Sequence, residues 1–314
     1  MLAGEPSLSN PGRAALATGA WADIHGITSN FAVRRVGVDS VFSLAHTAGL
    51  KTATAGSRFW YRTFQPWVDE FLRSSGEPQP ASPAELQAWQ HDECDRKLKF
   101  LRSAQFDFAV VDYVAGDIAS HDFGARSAAA EDVHRITDEC VRDLAASQNL
   151  CQTTLIVLAD HGHIDRGGHG GNEPEVVAAP LVLAGGPVRA GAKIEARQID
   201  IAPTICALLG LPLPSTSQGR VLLDALQLDT ADRKALEAQQ DQQQQGFARY
   251  QRGLLGGNQA QAARAARFRR LPACLGLGAI LVLLLTWLVR FVLRTPGERV
   301  LAVGGVAAFY AAYY

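Results

Sequence analysis

The sequence predicts an α/β fold in which a largely parallel sheet is flanked by helices. Short apolar runs, bounded by turn residues and partly β-branched, have the character of buried strands. They cover residues 51–55, 106–111, 153–159 and 180–184. Segments of helical character alternate with them at residues 39–48, 83–103, 127–147 and 200–209. Such alternation is typical of parallel sheets, whose ligands bind where loops leave the carboxyl ends of strands.

Length and composition limit the possible classes of protein. A chain of 314 residues can hold one large globular domain with appendages, because single cores rarely grow beyond about 250 to 300 residues. With a net charge of -1, the chain has no bulk electrostatic basis for nucleic-acid binding, and we expect none. The five cysteines include no CxxC pair, which excludes a zinc ribbon and a thioredoxin motif and favours buried or free thiols over a disulfide framework.

The C-terminal part of the chain has a membrane signature. Residues 271–289 contain no charged side chain, and about 20 apolar residues are what a helix needs to cross a bilayer core. A second apolar run at residues 300–314 is shorter and predicts a partial second span. Arginines lie on both sides of the first span, so the distribution of positive charge leaves the membrane orientation open.

Three regions follow from these patterns. Residues 1–228 form the predicted globular domain, residues 229–270 a Gln-rich stalk that is helical or flexible, and residues 271–314 the membrane region. The stalk is rich in helix formers and poor in β-branched residues.

Polar clusters follow two of the predicted strands. Asp117 and His121 come four residues apart after the strand at 106–111 and could reach one metal ion, although such pairs often lie at a surface or cap a helix. Asp160 and His161 follow the strand at 153–159, and His169 lies between two pairs of glycines. Glycines permit close backbone approach, which favours metal ligands here. Carboxylates mixed with imidazoles suit zinc or manganese better than calcium or copper.

A serine near the start of the chain is a candidate nucleophile. Ser9 lies in the turn-like segment SLSNPGR, which leads into a predicted helix. A hydroxyl at a helix N-terminus is commonly a cap. It can also be a nucleophile whose alkoxide is stabilised by a metal ion and by the helix amide groups. Position alone leaves both alternatives open.

Four segments in this order resemble the alkaline phosphatase superfamily, closest to its type I phosphodiesterase/nucleotide pyrophosphatase and ethanolamine phosphate transferase branches. They are PSLSNPGRAALATG with HGITSN, VAGDIASH, LADHGH with GGHGG, and IDIAPTICALLGLPLP. The resemblance covers about residues 6–226 and implies an alkaline-phosphatase-like core, which would make residues 1–228 a metal-dependent phosphoesterase-like domain.

The resemblance also implies roles for single residues. It makes Ser9 the nucleophile beside two divalent metal ions, zinc or alternatively manganese. One ion would be held by Asp117, His121 and His169, and the other by Asp160, His161 and the Ser9 oxygen. Asn30 matches an asparagine that contacts a phosphoryl oxygen. Arg13 either assists near the nucleophile or forms a structural salt bridge.

The function implied is hydrolysis of phosphate esters, either phosphodiesters or pyrophosphates, through a phosphoserine. The substrate would be a phosphorylated small molecule, lipid or glycan, and the catalytic domain of this membrane-anchored protein is expected to be extracytoplasmic. The main alternative is transfer of a phosphoethanolamine-type group to a lipid or glycan. A sulfatase is a further alternative, because Ser9, Pro11 and Arg13 match its signature in spacing, although that site usually carries a converted cysteine. The remaining alternative is a non-catalytic membrane protein that keeps the fold.

The resemblance has one departure. In the family, a strand that ends in an aspartate ligand precedes the nucleophile by some tens of residues, whereas Ser9 comes eight residues after Met1. This predicts either a longer natural chain or an incomplete second metal site.

Overall fold

The computed structural model describes residues 1–76, 82–256 and 282–286. The chain divides into two compact units, Met1–Ala248 and Arg249–Tyr314. The helices are α1 (Ser9–Thr18), α2 (Ala22–His25), α3 (Val41–Thr47), α4 (Arg58–Phe64), α5 (Pro83–Ser103), α6 (Ala115–Phe123), α7 (Ala128–Ala146), α8 (Pro174–Val177), α9 (Ile201–Leu208) and α10 (Thr230–Gly256). The strands are β1 (Thr52–Gly56), β2 (Glu70–Arg73), β3 (Phe108–Val111), β4 (Thr154–Leu158) and β5 (Leu181–Gly185).

The α/β class is confirmed, and each of the four predicted strands and four predicted helices is present. The largely parallel sheet is only partly correct. β1 lies between β2 and β3 and pairs with both in parallel, but β4 and β5 form a separate antiparallel pair. The chain leaves β4 through the long loop that carries the polar cluster and returns in the opposite direction as β5.

Serine caps fix the starts of three helices. The side chains of Ser40, Ser82 and Ser127 each accept a hydrogen bond from a backbone amide in the first turn of α3, α5 and α7. Such caps satisfy amides that have no partner within the helix. These serines also explain why the sequence predicted the first residues of the three helices to within one or two positions.

Aromatic side chains fill the core beneath the three-stranded sheet. Phe42 from α3 stacks on Phe64 with ring centroids 4.9 Å apart and meets Phe108 of β3 edge-on at 5.1 Å. Phe42 and Phe64 are fully buried. This packing ties α3 and α4 to the sheet and holds the start of β3 in place.

Glutamines of α10 bind the preceding loop through its backbone. Gln243 donates to the carbonyl of Ser217 at 2.7 Å, and Gln240 accepts from the amide of Val221 at 2.8 Å. The first half of the predicted stalk is therefore a helix attached to the globular unit by hydrogen bonds, and its low hydrophobicity does not prevent docking.

The predicted membrane segments lie almost wholly outside the described residues. Of the run 271–289, only residues 282–286 are described, and they are helical; the run 300–314 is outside. Within the described parts of the chain, no helix combines the length and the apolar character needed to span a bilayer.

A disulfide joins Cys94 of α5 to Cys140 of α7, so the expectation of free thiols was wrong for these two residues. Cys151 and Cys206 are free, in agreement with that expectation. The error arose because the partners are 46 residues apart in sequence, and only the packing of α5 against α7 brings them together.

Removing this crosslink is expected to lower the free energy of unfolding. Closing a 46-residue separation reduces the entropy of the unfolded chain by an amount worth about 4 kcal/mol. We expect a loss of that order for the Cys94→Ala/Cys140→Ala double variant in urea titrations, and no further loss when reductant is added. The exposed Cys151→Ala variant is the control. Equal midpoints for wild type and double variant would contradict this expectation.

Candidate active site

Ser9 is the first residue of α1 and faces the loop that follows β4. Its Oγ lies 3.1 Å from Nε2 of His161. α1 approaches this loop closely at Gly12, where an added Cβ would lie 2.8 Å from the side chain of Gln198 and 3.2 Å from the carbonyl of Asp160. The close contact explains the glycine in SNPGR and brings the nucleophile segment against the second polar cluster.

Asn30 is hydrogen-bonded to Asn10, the residue after Ser9. The Asn10 amide donates to Oδ1 of Asn30 at 2.9 Å, and the Asn10 side chain donates to the Asn30 carbonyl at 2.7 Å. These two hydrogen bonds fix the orientation of the Asn30 amide group beside Ser9. The neighbouring Phe31 is 97% exposed.

Asp117 and His121 lie on α6, the helix that follows β3. A spacing of four residues places them on one face of a helix. Nε2 of His121 lies 3.5 Å from Oδ1 of Asp117.

The loop after β4 supplies two imidazoles that present an unprotonated nitrogen. Nδ1 of His169 lies 2.9 Å from the Ser7 carbonyl, and Nδ1 of His161 lies 3.1 Å from the Gly162 carbonyl. Because a carbonyl only accepts, each Nδ1 carries the proton and each Nε2 keeps its lone pair. Metal-binding histidines commonly donate their second nitrogen in this way, so both residues fit the ligand role.

Two glycines beside His169 adopt backbone conformations that other residues disfavour. Gly167 and Gly170 have φ angles of 83° and 113°, in the region that side chains disfavour. The turn is tied to the nucleophile segment by Ser7, whose hydroxyl donates to the Gly171 carbonyl at 2.6 Å and accepts from the Gly170 amide at 3.1 Å. This explains how the GGHGG segment brings His169 to Ser9.

Asp117 lies at the centre of the histidines. Nε2 of His163 is 2.9 Å from its Oδ1, and Nε2 of His169 is 3.5 Å from the same oxygen. Burial by itself raises the pKa of Asp117, but the hydrogen bond from His163 and the nearby His161 and His121 lower that pKa to about 2. The carboxylate is therefore ionised at neutral pH, as a metal ligand must be.

Arg13 lies between two carboxylates at the ends of β3 and β4. Its guanidinium is 3.2 Å from Asp112 and 3.8 Å from Asp160, with only 11% of its side chain exposed. Burial by itself lowers the pKa of Arg13, but Asp112 and Asp160 outweigh it and raise the pKa. The contact geometry agrees with the salt-bridge alternative for Arg13.

The end of β3 is itself held by a buried lysine. Nζ of Lys97 donates to the Asp112 carbonyl at 2.7 Å and pairs with Glu93 at 3.0 Å. The Trp60 indole also donates to Asp112 at 3.1 Å. Asp112 thus presents a fixed carboxylate to Arg13.

The predicted site residues converge into two adjoining groups. The first is a possible metal cluster in which one donor atom from each residue lies within 4.8 Å of the others; it comprises Asp117, His161, His163 and His169. His121 joins it through Asp117. The second is Ser9, His161 and Asp160, in which Oδ1 of Asp160 lies 3.8 Å from Nε2 of His161. Sequence reasoning gave no role to His163 or Asp112, although both occur in the strand-end segments that it selected.

His25, another histidine without a predicted role, packs at the end of α2 and accepts a hydrogen bond from the Ile27 amide at 3.0 Å through Nδ1. It is 3% exposed. Burial, with a smaller effect from Arg34, lowers its pKa from 6.5 to about 4, against an opposing effect of the Pro11 carbonyl. The unfolded chain therefore binds a proton that the folded chain does not between these two pH values.

The contribution of His25 to stability is accordingly expected to be fully present above about pH 6.5 and to be lost as the pH falls towards 4, with a loss of roughly 2 to 3 kcal/mol at pH 4.5. His25→Asn keeps an acceptor for Ile27 but does not titrate there. The measurement is the free energy of unfolding of wild type and His25→Asn in EDTA, which removes metal effects. The free energy by which wild type exceeds His25→Asn should decrease by that amount between pH 7 and 4.5. The exposed His46→Asn serves as the control. A difference that stays constant with pH would contradict the assignment to His25.

The fold and this cluster define a class: an α/β enzyme domain with an Asp/His site at the carboxyl ends of its strands. Residues 1–170 match the model of the type I phosphodiesterase / nucleotide pyrophosphatase family. The chain belongs to this family of the alkaline phosphatase superfamily. The predicted family and the prediction of an enzyme are thereby confirmed.

Relatives within the superfamily differ in function. The chain is 24% identical to GPI ethanolamine phosphate transferase 3 of Schizosaccharomyces pombe over 230 residues, which are 70% of this chain and 24% of that protein. It is 31% identical over 143 residues to a 2,3-bisphosphoglycerate-independent phosphoglycerate mutase of Rhodopirellula baltica, covering 42% of this chain and 25% of that one. The chain spans about a quarter of the length of these curated relatives. A 2-O GAG sulfatase structure has a similar fold, with a TM-score of 0.54, 16% identity and coverage of 72% of this chain and 65% of that one.

Proposed function

We propose that this chain cleaves phosphodiesters or pyrophosphates through a phosphoserine on Ser9, at a site that holds two divalent metal ions. The observation that carries the proposal is the 3.1 Å approach of Ser9 Oγ to His161 beside an Asp/His cluster with donor atoms within 4.8 Å. A serine hydroxyl that only capped a helix would not need a histidine and a metal-binding cluster beside it.

The two proposed ions are zinc or manganese, which suit carboxylate and imidazole ligands. Asp117, His121 and His169 would hold the first, and Asp160, His161 and the Ser9 oxygen the second. The lone pairs of His161 and His169, fixed by their backbone partners, support this arrangement. When bound, the ions supply positive charge that lowers the pKa of the Ser9 hydroxyl and offsets charge on the phosphoryl and leaving oxygens.

The residues of the chain itself orient the reaction. Ser9 Oγ, after losing its proton to solvent, attacks phosphorus, and the Oγ–P bond forms while the bond from phosphorus to the leaving oxygen breaks. Water, or an alcohol in a transferase, then displaces Ser9. The Asn30 side-chain amide, oriented by Asn10, would donate to a phosphoryl oxygen. Arg13 would act through Asp160, which it holds, because its guanidinium is enclosed by carboxylates.

Metal removal tests the proposal directly. We expect the chain in detergent to hydrolyse bis-p-nitrophenyl phosphate, to lose this activity after dialysis against EDTA, and to recover it with zinc or manganese but not with calcium. p-Nitrophenyl sulfate is the control substrate for the sulfatase alternative. Diester hydrolysis that survives complete metal removal, or its absence in the reloaded chain, would overturn the proposal.

A transferase acting on a lipid or glycan is the second candidate function. Two observations favour it: the similarity to a GPI ethanolamine phosphate transferase and the almost fully exposed Phe31 beside Asn30, which could contact an apolar part of a substrate. Adding an alcohol acceptor distinguishes the two reactions. A transferase should convert most of the phosphoryl group into the acceptor ester, whereas a hydrolase should release it to water.

We propose an anchored protein with an extracytoplasmic catalytic unit that acts on a phosphorylated substrate and does not bind nucleic acid. The Cys94–Cys140 disulfide supports this location, because such bonds persist in oxidising compartments and are rare in the cytosol. The orientation of the membrane region stays a prediction.

A further inference from the structure

Both ring nitrogens of His163 have partners. Nε2 lies 2.9 Å from Oδ1 of Asp117, and Nδ1 accepts a hydrogen bond from the Gly168 amide at 3.2 Å. The turn that presents this amide is closed by the Ile164 amide, which donates to the Gly168 carbonyl at 3.0 Å. Only 9% of the His163 side chain is exposed, so the ring is held in a defined orientation.

These partners determine which nitrogen carries the proton. A backbone amide can only donate, so Nδ1 of His163 is the acceptor and, in the neutral ring, the proton lies on Nε2. That proton points at the carboxylate of Asp117. His161 and His169 have the opposite arrangement, because their Nδ1 atoms face carbonyl oxygens.

A histidine binds a metal ion through a nitrogen with a lone pair. His163 therefore differs from the other histidines of the cluster: its nitrogen nearest to Asp117 is a donor. We infer that His163 is a positioning residue that orients the Asp117 carboxylate by hydrogen bonding and does not itself bind the metal ion. This rests on the proposed function only in that Asp117 holds a metal ion.

Outer partners of this kind set the geometry and basicity of a ligand, and their loss typically weakens metal binding by about 10- to 100-fold. The contact fixes one carboxylate oxygen of Asp117 at 2.9 Å from Nε2 of His163. A carboxylate without it could rotate towards His121 or His169, which approach the same oxygen at 3.5 Å.

The test compares His163→Leu with His163→Gln in the full chain. Zinc affinity is measured by competition with a chelator, and the ligand set by the visible absorption spectrum of the Co²⁺ form. We expect His163→Leu to bind zinc about 10- to 100-fold more weakly with an unchanged Co²⁺ spectrum. His163→Gln, whose side-chain amide can still donate to Asp117, should recover most of the affinity. Thermal unfolding of the metal-free variants checks that each is folded.

Other outcomes are equally decisive. A Co²⁺ spectrum that changes in His163→Leu and is not restored in His163→Gln would make His163 a ligand and overturn the inference. Equal zinc affinity in wild type and His163→Leu would do the same while leaving the proposed function intact. If the wild-type chain binds neither zinc nor Co²⁺, the proposed metal site and this inference both fail.

Discussion

The Ser9→Ala variant is expected to hydrolyse bis-p-nitrophenyl phosphate about 10³-fold more slowly than wild type, or slower still, because it lacks the atom that attacks phosphorus. Ser9 Oγ is the hydroxyl that lies 3.1 Å from Nε2 of His161. A water molecule that took its place in the variant would not be held in position by α1, so it would attack phosphorus less efficiently. The measurement is the steady-state rate with zinc supplied in excess. Zinc binding by Asp117, His121 and His169 should persist, because Ser9 is not among these proposed ligands.

A covalent intermediate gives the same prediction a second readout. Rapid mixing of wild type with the diester should release a burst of p-nitrophenolate, and acid quenching should leave a phosphoryl adduct on the peptide that contains Ser9. Ser103→Ala, at the exposed end of α5, is the matched serine control. Undiminished turnover in Ser9→Ala, or an adduct on a different residue, would exclude Ser9 as the nucleophile.

Most residues of the candidate site could be predicted from the sequence because their signals are local. Asp160 and His161 follow directly after β4, and glycines mark the turn at His169, so short segments contained both the residues and the reason for their placement. The position of Ser9 at the start of α1 was equally readable. These features depend on strand ends and helix starts, which alternation and turn residues reveal.

Contacts between distant segments were not readable in this way. Arg13 is paired with Asp112, 99 residues further along the chain, and the ring of His163 is oriented by both Asp117 and Gly168. Each contact depends on how β3, β4 and α6 pack, which the local pattern does not contain. The antiparallel direction of β5 was missed for a related reason: a short apolar run has the same composition whichever way the strand runs.

Asp117→Ala is expected to weaken zinc binding at the proposed site of Asp117, His121 and His169 by about 100-fold or more, since even the loss of an outer partner costs about 10- to 100-fold. It is also expected to abolish diester hydrolysis. Asp117 is the carboxylate that His121, His163 and His169 approach within 3.5 Å. Without it, three imidazoles face one another with no negative charge between them, and a divalent ion loses its charged ligand. The measurement is bound zinc after dialysis against a chelator of graded concentration.

The control for this change lies on the same helix. Asp122→Ala removes an exposed carboxylate of α6 one residue beyond His121, so it alters the local charge by the same amount without touching the cluster. It should bind zinc and hydrolyse the diester like wild type. If the two variants lost zinc equally, the effect would come from the net charge around α6. Loss confined to Asp117→Ala requires a specific ligand, because long-range attraction to a surface carboxylate is screened within about 10 Å in ordinary salt.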